Sequence, residues 1–144
     1  MNNEVLFNEL PRPTFRWLQV NHSKGYVWGD RTAVAPIVVD AKEGLVKPIA
    51  NPPMLKASYK GANQTVLEAV ANATGDTYAI EVPAGAKEHV KVAIKVEESH
   101  TQADARFVVN AAAGAEVEIL FYLVGNTRSE STVQLFTEVN AQEG

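Results

Sequence analysis

The residues best placed for acid-base or metal chemistry are Glu97-Glu-Ser-His100, where two carboxylates and an imidazole fall within one short stretch. Such groups can ligate a divalent metal or relay a proton. A coordination sphere needs three or four ligands, however, and no second cluster in the chain completes one. The stretch therefore reads as a solvated turn, rich in Ser, His, Thr, Gln and Asp, running on through Asp104. His22, with Tyr26 and Trp28 nearby, reads as a packing or surface residue, and His89 as a surface partner for Glu118. No phosphate-binding glycine loop, serine nucleophile elbow or defensible carboxylate pair is present. The chain is expected to be non-catalytic, with no catalytic, metal-binding or cofactor-binding residue of its own.

A surface for another protein is easier to find. In the run Val117-Glu-Ile119-Leu-Phe121-Tyr-Leu123-Val124, one parity is apolar (Ile119, Phe121, Leu123), and the other is apolar as well at Leu120, Tyr122 and Val124. A strand apolar on both faces must be covered on both. Two covers are open: the N-terminal segment with Phe15 and Trp17, or another subunit. Phe136, opposite in parity to Val133, Leu135 and Val139, joins Leu120, Tyr122 and Val124 as a candidate interaction residue, and the expected assembly is a homodimer.

The elements that position these residues come from a repeat. Gly85-Ala86 introduces the alternating run Val90-Lys-Val92-Ala-Ile94-Lys-Val96, and Gly114-Ala115 introduces the run just described. Asn110-Ala-Ala-Ala-Gly114 returns as Asn140-Ala-Gln-Glu-Gly144, each preceded by a valine-bearing run. A period of about 30 residues, built from two short strands and a Gly/Ala turn, points to a solenoid. Placing Gly85 over Gly114 sets Val90, Val92 and Ile94 over Ile119, Phe121 and Leu123. It also sets Lys87 over Glu116 and His89 over Glu118, opposite charges at the roughly 4.8 Å strand spacing. The preceding strands are read as Val82 over Val109 over Val139, with a length difference in the turn at Asn110-Ala111.

Composition narrows the classes. The 144 residues suffice for one domain with a real core. With no cysteine the chain has no disulfide or thiolate ligand, which fits a reducing compartment. A net charge of -4 and no Lys/Arg stripe argue against nucleic acid. Met1-Asn-Asn-Glu-Val lacks the basic start of a signal peptide, and no apolar run approaches the roughly 20 residues that span a bilayer. The expected location is cytoplasmic, with no membrane partner.

Taken in order, residues 1–60 read as a lead segment and 61–144 as the repeat region. Met1 to Leu10 is expected to form a short helix capped by Asn2 or Asn3 and stopped by Pro11 and Pro13. Asn21 to Asp30 is expected to be a loop with a short strand, and Ile37-Val-Val39 a strand followed by the turn Lys42-Glu-Gly44. Pro48, Pro52 and Pro53 should leave Val46 to Met54 extended and poorly hydrogen-bonded. Thr65 to Ala71, with Val66, Leu67 and Val70 on one stripe, is expected to be a helix that caps the first coil.

The order of these segments carries a resemblance. Leu10-Pro-Arg-Pro-Thr-Phe-Arg-Trp17, Asp76-Thr-Tyr-Ala-Ile-Glu-Val-Pro-Ala-Gly85 and Thr137-Glu-Val-Asn-Ala-Gln-Glu-Gly144 resemble, respectively, the Leu-Pro and Trp lead, the entry to the first coil, and the later coil turns of the SufB/SufD family of the SUF iron-sulfur cluster assembly complex. The resemblance implies a right-handed parallel β-helix, a SufC-like ATPase and a SufB/SufD-like subunit as partners, and a scaffold role in which the iron-sulfur cluster exists only at the level of the assembled complex. The family's cluster-assembly residues and ATPase-binding end lie towards its C-terminus, so no functional residue transfers to this chain, which reads as a fragment or truncated relative. The alternatives are a carbohydrate-binding or surface all-β module, and a small cupin-like metalloenzyme, for which the His/Glu cluster is missing.

Overall fold

The computed structural model describes residues 2–7, 23–28, 34–50, 76–126 and 128–143. Chain contacts divide the molecule into two units, Met1–Arg31 with Leu55–Ala73, and Thr32–Met54 with Thr74–Gly144.

In the first unit β1 (Asn2–Phe7) pairs antiparallel with β2 (Ser23–Trp28), Asn2 opposite Trp28 and Phe7 opposite Ser23. Over Asn2–Phe7, the described part of the segment expected to be a helix, the chain is therefore a strand. So short a segment gains too little from helical hydrogen bonds to offset nucleation, whereas a partner rich in Tyr, Val and Trp satisfies its backbone from outside. The strand expected near Tyr26 is β2. The stripe at Thr65 to Ala71, and the anchors Phe15 and Trp17, lie outside the described residues.

In the second unit, alternation of β-branched and polar residues produces long strands that change sheet at every turn. β5 (Asp76–Val82) and β6 (Lys87–Glu97) make the first coil, β7 (Gln102–Ala111) and β8 (Glu116–Asn126) the second, and β9 (Thr132–Ala141) begins a third. β5, β7 and β9 are parallel neighbours in one sheet, and β6 and β8 in the other. Two further strands, β3 (Ile37–Ala41) and β4 (Val46–Pro48), pair antiparallel with β6 and β5, so the sheets run β3-β6-β8 and β4-β5-β7-β9 and both are mixed. The architecture is mainly β, and no helix occurs among the described residues.

The register in the β6/β8 sheet is the one expected from sequence: Val90, Val92 and Ile94 lie opposite Ile119, Phe121 and Leu123. The other sheet differs. Val109 faces Val139 as expected, but Val82 pairs with Ala111, and Ile80 is the residue facing Val109. Both sheets thus share one offset across the first coil, and the turn at Asn110-Ala111 absorbs nothing. The extra residue falls instead between β8 and β9, whose connection 127–131 is one longer than the connection 98–101. Loops tolerate such a change because no ladder is broken.

Turns repeat as faithfully as strands. Ala86 N–H donates to Pro83 O and Ala115 N–H to Ala112 O, while Ala112 N–H reaches across to Val82 O and Glu116 N–H to Ala86 O. Gly85 and Gly114 both take φ of 68°. A Cβ on Gly114 would meet nothing closer than 3.9 Å, so backbone handedness and not space demands glycine there.

The first coil is closed by chain rather than left open. β3 and β4 lie in different sheets and are joined by the turn Lys42–Leu45, where Gly44 has φ of 78°. Pro48 ends β4 at an edge, where its missing N–H removes no ladder bond, and Ile49 N–H continues to Thr77 O. The segment expected to be poorly hydrogen-bonded is thus paired at its start. The core between the sheets is built from Ile80, Val82, Val90, Val92, Ile94, Phe107 and Val109, all buried. Phe107 stacks on Tyr78 at 5.4 Å and meets Phe121 edge-on at 5.4 Å, joining the coils through aromatic contact. β7, paired on both edges, is buried on both faces, Asp104 and Arg106 included. The polar turn read through Asp104 therefore stops at Thr101.

Candidate functional site

The last coil carries the candidate surface. Among the described residues β8 pairs only with β6, and β9 only with β7. Each therefore presents one unpaired row of backbone N–H and C=O groups on the same side of the stack. Side chains that point between the sheets reinforce this picture: Val117, Ile119, Phe121, Val133 and Leu135 are only partly buried against the core, and Leu123 and Val139 are 58% and 61% exposed. Their counterparts one coil earlier, Ile94 and Val109, are 1% and 0% exposed. The difference is the missing neighbour on one side.

The predicted interaction residues fall on two faces. Leu120, Tyr122 and Val124 share the outer face of the three-stranded sheet and are 41%, 49% and 50% exposed. Phe136 is half-buried on the outer face of the other sheet, in register with Arg106. Two residues escaped the sequence reading. Val38 stands in one cross-strand row with Ala93 and Tyr122, extending the apolar outer face across all three strands; finding it required knowing that β3 runs antiparallel to β6. Leu123 has core parity and is exposed because, among the described residues, no strand pairs with the outer edge of β8.

Charged side chains arrange in columns along the stack. Lys87 Nζ lies 2.8 Å from Glu116 Oε1 and His89 Nδ1 3.2 Å from Glu118 Oε2, as the register requires, and all four are exposed. Exposed pairs of this kind are worth about 0.2 to 1 kcal/mol. A second column runs through the other sheet: Asn110 Nδ2 donates to Glu81 Oε1 at 2.8 Å, and Asn140 Nδ2 donates to Asn110 Oδ1 at 3.2 Å. Lys42 Nζ pairs with Glu88 at 2.9 Å, tying the closing turn to β6.

The acid-base candidate has a different use. Glu97 and His100 close a tight turn through reciprocal backbone hydrogen bonds of 3.0 and 2.8 Å, and Ser99 Oγ lies 2.9 Å from His100 Nδ1. The Glu98 carboxylate accepts the Arg128 N–H and the Ser129 hydroxyl, the latter at 2.6 Å, and so brackets this turn to the loop one coil later. Among the described residues no three His, Cys, Asp or Glu side chains group as metal ligands. Among the described residues one ionisable group is clearly perturbed: burial, and secondarily the Asp76 carboxylate, raise the Tyr78 phenol above its ordinary value, since both disfavour the phenolate. Comparison with family models, curated proteins and solved structures finds no match. No helix among the described residues is long and apolar enough to cross a membrane.

Proposed function

We propose that this chain is a non-catalytic scaffold component of iron-sulfur cluster assembly, of the SufB/SufD type, and that it works through protein contacts. The single observation that carries the scaffold reading is the last coil: stacked strands in register whose final edges and core-facing side chains are open, together with an apolar outer face at Leu120, Tyr122 and Val124. The assignment to the SUF system rests on the sequence segments around Leu10 to Trp17 and Asp76 to Gly85. The stacked coils belong, in this reading, to a right-handed parallel β-helix. The right-handed sense is what the resemblance to the SufB/SufD family implies. A crystal structure with a left-handed β5-β6-β7 path would refute it.

The partners are a SufC-like ATPase, a SufB/SufD-like subunit and a second copy of the chain, the last through the Leu120, Tyr122 and Val124 face. Reconstitution tests the assignment. Mixed with a SufC-like ATPase and a SufB/SufD-like subunit, the chain should co-elute with one or the other; elution apart from both refutes the SUF role. Alone, under anaerobic iron and sulfide, it should retain no stoichiometric iron after desalting. One equivalent retained would overturn the reading and direct attention to His100 and Glu98.

A further inference from the structure

The columns of side chains along the stack specify what the open edge of β8 can accept. In the two charged columns the last group before the opening is an acceptor: Glu116 follows Lys87 and Glu118 follows His89. Neither edge strand contains a Lys, Arg or His: β8 reads EVEILFYLVGN and β9 TVQLFTEVNA. Two such ends brought together would offer the two carboxylates no cation on their outer side, beyond the Lys87 and His89 they already meet, and would set them against apolar side chains or one another, which is unfavourable. A second copy docked edge to edge is therefore a poor occupant. β6 shows what a good one looks like, since it places Lys87 and His89 on the two carboxylates and Val90, Val92 and Ile94 on Ile119, Phe121 and Leu123.

We propose that the free edge of β8 binds an extended segment of a partner protein by strand addition, with lysine or arginine opposite Glu116 and Glu118 and apolar residues opposite Ile119, Phe121 and Leu123. Main-chain hydrogen bonds supply the attachment and the alternate side chains supply the selection. This rests on the scaffold reading above and names the chemistry of one partner.

The probe is a fluorescein-labelled peptide with the sequence Lys87–Glu97 carrying His89→Lys, added to the full chain at a concentration where sedimentation shows a monomer. Anisotropy should rise saturably, and affinity should fall several-fold as salt is raised. Glu116→Lys with Glu118→Lys should weaken binding at least tenfold, and a peptide with glutamate in place of the lysines at positions 87 and 89 should bind this variant better than it binds the natural chain. That exchange of preference keeps the test valid even if the variant is less stable. Absence of binding, equal binding of a scrambled peptide, or an unchanged preference after the charge swap overturns the proposal. The scaffold reading fails on different measurements, co-elution and sedimentation without peptide, so the two failures are distinguishable.

Discussion

Phe107 is the residue on which the stack most depends, because it is fully buried and touches Tyr78 of the preceding coil and Phe121 across its own coil. Phe107→Ala should cost about 3 to 5 kcal/mol, read as a lowered midpoint in urea denaturation; a loss under 1 kcal/mol would mean that the coils are not joined there. Tyr78, stacked on it, carries a pH signature. Its phenol pKa is raised in the folded state above the ordinary 10.0, so the folded chain holds that proton more tightly than the unfolded chain. The associated stability is fully present below pH 10.0 and is lost as pH rises from there through the folded value. Tyr78→Phe should flatten that alkaline decline in a pH series of denaturation curves. Gly114 makes a third residue-scale case: at φ of 68° an alanine fits the space but not the backbone, and Gly114→Ala should cost about 1 to 2 kcal/mol.

At the scale of elements, loops and strands divide the work. Strands hold register through alternating burial, since a slip of one residue would turn Val90, Val92 and Ile94 outward. Loops hold coil to coil through side chains, and Glu98 is the clearest example, its carboxylate reaching Arg128 and Ser129 in the following loop. Glu98→Ala should leave the strands in place and loosen only that loop. The expected readout is faster amide exchange at Arg128, with unchanged exchange at Val92 and Phe107; uniform acceleration would show that the bracket holds more than the loop.

At the scale of the whole second unit the two ends of the stack are unequal. One is closed by β3 and β4, while among the described residues the other shows the edges of β8 and β9. Burying an apolar side chain fully contributes about 1.5 to 3 kcal/mol, so exposed Leu120, Tyr122 and Val124 forgo a sizeable part of a typical domain stability of about 5 to 15 kcal/mol. Self-association through this outer face is the expected remedy, and sedimentation at rising concentration should show a dimer that Tyr122→Lys weakens. A strict monomer at high concentration would refute it.

Much of the second unit was legible in the residues themselves. The Gly85 and Gly114 cues, the parity of Val90 to Ile94 over Ile119 to Leu123, and the pairing of Lys87 with Glu116 follow from period and alternation, which are local properties of a repeating chain. Two apolar parities in one strand likewise marked Leu120, Tyr122 and Val124 as needing cover. Non-local pairing was not legible. That Val82 faces Ala111 rather than Val109 depends on where the strands of the other sheet settle, and valines at several spacings satisfy the same pattern. That Met1 to Leu10 holds a strand depends on a partner sixteen or more residues away in sequence, at Ser23 to Trp28. The closing of the first coil by β3 and β4, and with it the row Val38, Ala93 and Tyr122, arises from antiparallel contacts between segments whose sequences carry no mark of each other. Tertiary structure decided these because hydrogen bonds between strands are made by backbone groups common to every residue, so sequence specifies a strand's faces far more strongly than its neighbours.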